Sequence, residues 1–240
     1  MKIAISGKGG VGKTTLAAGL SMLLAKEGKQ VIAIDADPDS NLASALGING
    51  EVKPLSAMID LIKERVGEEG FIKLNPKVDD ILKNYSVKKG NINFIQLGTI
   101  KKADSGCFCP PATLLKALLR HLIFNEEEFL IMDMEAGLEH LGRGLTKGID
   151  LLIIVIEPGQ RSIETAKKIR KLSEELGIRN VRVILNKARG CLVAEGLNID
   201  GIIPFDGELV EADLRGEPLP TNSFAFEAIE KIKEKLIPTQ

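Results

Sequence analysis

The chain has 240 residues, 44% of them hydrophobic and 27% charged, which is enough apolar material for one large α/β unit with a full core. Its formal net charge is −1 and its pI lies near 6.2, which argues against a surface built chiefly for nucleic acid, since such surfaces carry a basic excess or stripe. The longest clean apolar run, Leu151 to Ile156, falls far below bilayer-spanning length, and the first residues run straight into an apolar strand rather than a signal peptide. A soluble, cytoplasmic chain is the expectation, forming a single domain over residues 1–240, with neither membrane nor nucleic acid as partner. Three cysteines in that setting read as thiols or metal ligands, not as a disulfide frame.

In chain order, residues 2–6 form an apolar strand, and a helix is predicted over about 13–27. Between them stands Gly7-Lys8-Gly9-Gly10-Val11-Gly12-Lys13-Thr14-Thr15, which meets the spacing G-x-x-x-x-G-K-T of a loop that cradles the phosphates of a nucleoside triphosphate. Residues 9–15 are the predicted nucleotide contacts: the glycines let backbone N–H groups turn inward, Lys13 reaches the β- and γ-phosphates, and Thr14 offers its hydroxyl to Mg²⁺. A second strand over 30–35 releases Asp35-Ala36-Asp37-Pro38-Asp39-Ser40-Asn41 at its end, where acids invite a cation or a water, although a segment so rich in turn formers needs no catalysis to exist. Residues 48–90 are the least regular, with a helix predicted at Pro54–Val66 and a poorly patterned stretch over 75–90. A strand at 92–97 precedes Cys107-Phe108-Cys109-Pro110-Pro111 and a helix over 111–124. Two thiolates do not close a metal site, but a twofold axis would supply a second pair and so hold tetrahedral Zn²⁺ or planar Ni²⁺; two small buried thiols at a proline-led helix start are the other reading.

Phe129-Leu130-Ile131-Met132-Asp133 is a strand ending in an acid, the Walker B arrangement in which Asp133 holds Mg²⁺ through water. Further strands at 150–156, 181–186 and 199–203 and helices at 161–176 and 223–237 complete a doubly wound, mostly parallel sheet flanked by helices, an α/β P-loop NTPase. Cys191 stands alone and reads as structural, and His121 and His140 are metal-ligand candidates that more often serve as surface or hydrogen-bonded residues.

Lys8 is a second cation in a loop that needs one. The pattern K-G-G-V-G-K-T-T resembles the deviant Walker A motif of the family that includes nitrogenase iron protein and the Min and Par positioning ATPases. That resemblance implies hydrolysis of ATP to ADP in a homodimer sandwiching two nucleotides, with Lys8 reaching the partner's nucleotide. It also implies that Asp37 orients and deprotonates the attacking water, that Gly137 of the Asp-x-x-Ala-Gly segment senses the γ-phosphate, and that Asp35, Asp39 and Asn41 make magnesium-shell or switch contacts. Asn186 and Lys187, with Pro204-Phe205-Asp206, match the loops that contact the purine. More narrowly, the Cys107/Cys109 pair ahead of Walker B and the sequence Asp-x-Glu-Ala-Gly-Leu-Glu-His at 133–140 resemble the accessory ATPases that insert nickel into carbon monoxide dehydrogenase. This implies that enzyme as recipient and Zn²⁺ or Ni²⁺ at the cysteines. Two other readings stay open. An iron–sulfur reductase lacks its second cysteine, since residues 133–144 contain none; a Min- or Par-like switch lacks a basic surface, and the amphipathic tail from Phe224 mixes Glu with Lys on its polar face.

Overall fold

Strands of Val, Ile and Leu alternate with helices in a computed structural model that describes residues 1–37, 40–67, 72–98, 110–125, 128–135, 145–190 and 196–237. The elements are β1 (Lys2–Ser6), α1 (Lys13–Lys26), β2 (Val31–Ala36), α2 (Leu42–Ala45), a 3₁₀ turn (Leu55–Ala57), α3 (Ile59–Arg65), α4 (Ile81–Tyr85), β3 (Val87–Lys89) and β4 (Ile92–Gln96). They continue with α5 (Pro110–Asn125), β5 (Phe129–Met134), β6 (Leu151–Ile156), α6 (Gln160–Glu175), β7 (Val181–Ala188), β8 (Gly201–Pro204), α7 (Gly207–Arg215) and α8 (Phe224–Leu236).

The strand order is β3-β4-β2-β5-β1-β6-β7-β8, and every pairing is parallel except that of β3 with β4. This is the expected doubly wound α/β sheet. Because successive side chains leave a strand on opposite faces, each central strand feeds two cores. In β6, Leu152, Ile154 and Ile156 join the layer containing Leu61, Leu115, Leu118 and Ile169, while Leu151, Ile153 and Val155 join the layer containing Leu16, Leu20, Phe226 and Ile229. Burial on both faces explains why β6 reads as a continuous apolar run rather than an alternating one. At the far end of α8, Lys233 is buried and pairs with Glu27, tying the last helix to the end of α1.

Several elements differ from expectation. The helix expected at 54–66 is broken at Met58, whose φ of −86° and ψ of 73° separate the 3₁₀ turn from α3. The stretch over 75–90 contains α4 and the three-residue edge strand β3, both too short to leave a periodic signal. Strand β8 begins at Gly201 instead of 199, and β7 runs through Ala188, two residues beyond its expected end, with an irregular register against β8 between Leu185 and Ala188. Helix α7 was not anticipated at all.

The chain leaves β1 for β2 on one side and reaches β6 on the other. The carboxyl end of β1 therefore lies between β5 and β6, where connections diverge and α/β sheets open their ligand crevice.

Candidate nucleotide site

The loop after β1 enters α1 through Gly12, at φ 93° and ψ 31°, and α1 has no side-chain cap, so its first N–H groups remain available to an anion. Glycine is required at 12 for two reasons. The left-handed backbone disfavours a Cβ, and a Cβ would run into the Asn186 amide. Asn186 Nδ2 donates to Val11 O at 2.8 Å, so β7 grips the loop from behind, while the Val11 side chain is fully buried in the core and only its backbone can face a phosphate.

On the β2–β5 side, Lys13 Nζ lies 3.3 Å from Asp37 Oδ2, with side chains 6% and 19% exposed. The phosphate lysine and the expected catalytic base hold one another when no nucleotide separates them. Thr14 Oγ1 donates to Asp133 Oδ2 at 2.6 Å. Asp133 Oδ1 is buried without a hydrogen-bond partner among the described residues, a state rare for a carboxylate oxygen and suited to a hard cation with oxygen ligands. Mg²⁺ therefore fits between Thr14 and Asp133. Burial first, then the neighbouring Asp35, pushes the Asp133 carboxyl up to about 7 against the Thr14 hydrogen bond and Lys13, which pull it down.

Asp35 is registered directly beside Asp133 in the β2–β5 pair and is wholly buried. Burial raises its carboxyl to about 6, although the N–H groups of Leu42 and Asp37 lower it. Those two donors occupy different oxygens: Asp37 N–H reaches Oδ1 at 3.2 Å and Leu42 N–H reaches Oδ2 at 3.1 Å. Asp35 thus fastens both ends of the segment from 37 to 42 instead of pointing free carboxylate oxygens at a metal.

On the β6–β7 side, Lys187 has a φ of 54°, left-handed for a residue that carries a side chain, at a cost on the order of 1–3 kcal/mol. Its Nζ donates to Gly10 O at 2.6 Å and lies 3.5 Å from Glu157 Oε2. Lys8 Nζ lies 3.8 Å from the other oxygen of Glu157. No sequence signal pointed to Glu157, which is a single acid before a Pro-Gly turn.

A cleft of about 380 Å³ joins these parts, lined by Gly9, Gly10, Gly12, Lys13, Thr14, Thr15 and Asp37 at one end and by Asn186, Lys187, Pro204, Phe205 and Asp206 at the other. Its remaining walls are Asn41, expected as a switch contact, with Ser44 and Ala45 of α2, and α7 with the segment after it, including Leu209, Asp213 and Glu217, which sequence reasoning missed with the helix itself. Asp206 lines the cleft with both oxygens engaged: Oδ1 caps α7 through Glu208 N–H at 3.0 Å, and Oδ2 accepts from Ala225 N–H at 3.0 Å. Its carboxylate joins two helix starts, and Phe205, with Arg189 stacked 3.8 Å from its ring centroid, is the more open neighbour.

Cys107, Cys109, Gly137, Asp39, Glu139, His140 and Cys191 lie outside the described residues. Among the described residues no group of three or more His, Cys, Asp or Glu side chains gathers to hold a metal, and no helix is long and apolar enough to cross a membrane.

Residues 2–219 match the CobQ/CobB/MinD/ParA nucleotide binding domain. The chain belongs to this family. Within the CobQ/CobB/MinD/ParA family it is similar to the carbon monoxide dehydrogenase accessory protein CooC of Rhodospirillum rubrum, at 45% identity over 90% of this chain and 88% of that protein. An uncharacterized ATP-binding protein of Methanocaldococcus jannaschii is 44% identical over 99% of this chain and 98% of its own. Among solved structures, the MinD cell division protein of Aquifex aeolicus matches with a TM-score of 0.70 at 26% identity, covering 100% of this chain and 99% of that one. A ParA family ATPase from Chlorobium tepidum reaches 0.71 at 20% identity, covering 96% of each chain, a likeness of fold alone. With the phosphate loop complete and the family established, the chain is an ATPase using ATP and Mg²⁺.

Proposed function

We propose that this chain is a dimerising maturation ATPase that assists nickel insertion into carbon monoxide dehydrogenase, working as one domain in the cytoplasm. The observation that carries this reading is the 45% identity to CooC over 90% of the chain, joined to the Cys107/Cys109 pair ahead of Walker B.

The Thr14 hydroxyl and Asp133 would hold Mg²⁺, which would supply neutralisation of phosphate charge there. Lys13 exchanges Asp37 for the β- and γ-phosphates, which releases Asp37 to orient a water and take its proton. Asp35 keeps the Asp37 segment registered on the β2 end during that exchange. Lys8 completes the partner's site across a twofold axis, and loss of the γ-phosphate, sensed at Gly137, loosens the dimer. Asn186 and the rim at Pro204–Asp206 receive the adenine. Cys107 and Cys109 of two chains together offer four thiolates to Zn²⁺ or to the nickel cargo; separating the chains removes half the ligands and so lowers affinity.

This reading is favoured over a membrane-positioning switch by α8, whose Ala225, Phe226, Ile229 and Ile232 are packed in the core. The test is sedimentation with and without ATP in the presence of nickel, followed by activation of nickel-free carbon monoxide dehydrogenase. An ATP-dependent dimer that raises activation supports the proposal. A chain that remains monomeric with ATP, or leaves activation unchanged, overturns it.

A further inference from the structure

Glu157 sits just past β6, and no step above uses it. Its backbone N–H donates to Ser162 Oγ at 3.0 Å, which fastens the turn between β6 and α6. Its carboxylate divides two ammonium groups: Oε1 lies 3.8 Å from Lys8 and Oε2 lies 3.5 Å from Lys187. The two lysines differ in what else holds them. Lys187 is also bound to Gly10 O, and its left-handed backbone within the irregular β7–β8 register sends its side chain to the phosphate loop. Lys8 belongs to the loop itself, and its side chain is 43% exposed.

We propose that Glu157 is a positioning residue that holds Lys8 on its own subunit and gives it up when Lys8 crosses to the partner's nucleotide. The inference rests on the trans role of Lys8 proposed above. Release leaves no stranded charge, because Lys187 stays beside the carboxylate after Lys8 departs, and an unpaired carboxylate covered by an interface would oppose closure. The pair is partly exposed, with Glu157 at 27%, so its strength belongs to the weak class in which one contact shifts an equilibrium about 1.5- to 5-fold. Two such contacts break per symmetric dimer, so the dimer dissociation constant is shifted about 2- to 25-fold. Glu157 thus sets the nucleotide concentration at which the dimer closes, without touching the nucleotide.

The experiment measures dimerisation of the full chain by sedimentation velocity over a titration of a non-hydrolysable ATP analogue. Glu157→Gln should tighten the dimer about 2- to 25-fold at low salt, and the difference should vanish near 1 M salt, where the ion pair is screened. Glu157→Asp should stay close to wild type, because the charge is retained. Lys8→Ala should fail to dimerise, and adding Glu157→Gln to it should restore nothing. A Glu157→Gln dimer no tighter than wild type, a difference that persists in high salt, or a dimer regained in the double variant would overturn the role of Glu157. A Lys8→Ala chain that dimerises like wild type would instead remove the trans reading and this inference with it, so the two failures are distinguishable.

Discussion

Lys13 and Asp37 lie 3.3 Å apart, so each neutralises the other until a phosphate intervenes, and their variants should diverge for that reason. Lys13→Ala removes the cation for the β- and γ-phosphates and should lower kcat/KM by on the order of 10²–10³. Asp37→Ala should lower kcat by about 10²–10⁴ while binding ATP at least as tightly as wild type, because Lys13 no longer has to leave a carboxylate. Titration calorimetry together with phosphate release checks both; weaker ATP binding by Asp37→Ala would count against the exchange. Asp133 and Asp35 give a second prediction at this scale. Their carboxyls, ordinarily near 3.8, are raised by burial to about 7 and about 6. Between about pH 4 and 7 the folded chain therefore holds protons that the unfolded chain has lost, and stability contributed by these groups falls as pH rises. Asp133→Asn should unfold at a higher temperature than wild type at pH 8, with the gap closing toward pH 4. Mg²⁺ with ADP should raise the wild-type midpoint but raise the variant's much less. Thermal scans across pH, with and without Mg-ADP, read both effects.

Between elements, the contact of β7 with the phosphate loop carries the clearest consequence. Gly12→Ala meets a left-handed φ and the Asn186 amide together, so it should cost roughly 1–3 kcal/mol and perturb nucleotide binding. Asn186→Ala removes only the bond to Val11 O and should cost about 0.5–1.5 kcal/mol. Denaturant unfolding ranks them, and an Asn186→Ala loss exceeding that of Gly12→Ala would contradict the geometry. The sheet's centre was legible in the sequence because β1, β2, β5 and β6 are buried apolar runs and α6 is strongly two-faced. The phosphate loop was legible because its chemistry is local, a run of glycines and lysines between strand and helix. What escaped depends on approach from elsewhere in the chain. Helix α7 is two-faced, as α6 is, but is only nine residues long with Ala212 alone buried, too short a run to stand out from a loop. Its cap, Asp206, is expected from the sequence as a base contact and does line the cleft, but nothing local reveals that its oxygens also join two helix starts. Likewise Asn186 was placed at a strand end because nothing local reveals that β7 continues through Ala188, and Glu157 matters only through lysines 149 positions before it and 30 after.

For the whole molecule, the cysteine pair supplies a stoichiometric prediction. Cys107 and Cys109 together offer two thiolates per chain, so a four-sulfur site shared across a twofold axis should bind about half an ion of Zn²⁺ or Ni²⁺ per chain. Replacing both cysteines by serine should abolish that binding and the activation of carbon monoxide dehydrogenase proposed above, while ATP turnover, built from other loops, persists. Equilibrium dialysis with elemental analysis separates this from a full ion per monomer, which would contradict sharing. The two margins of the sheet bear on assembly in another way. At one, β3 is only three residues long and carries Lys88 and Lys89, with the Lys89 ammonium drawn onto the Leu46 and Gly47 carbonyls. At the other, β8 ends in Pro204, which has no N–H, and Lys235 occupies the Asp200 carbonyl beside its start. Short, lysine-bearing or proline-ended margins are poor templates for another chain's backbone, so both discourage growth of the sheet into fibrils as concentration rises. A crowded solution of this protein is thereby steered away from side-by-side strand addition.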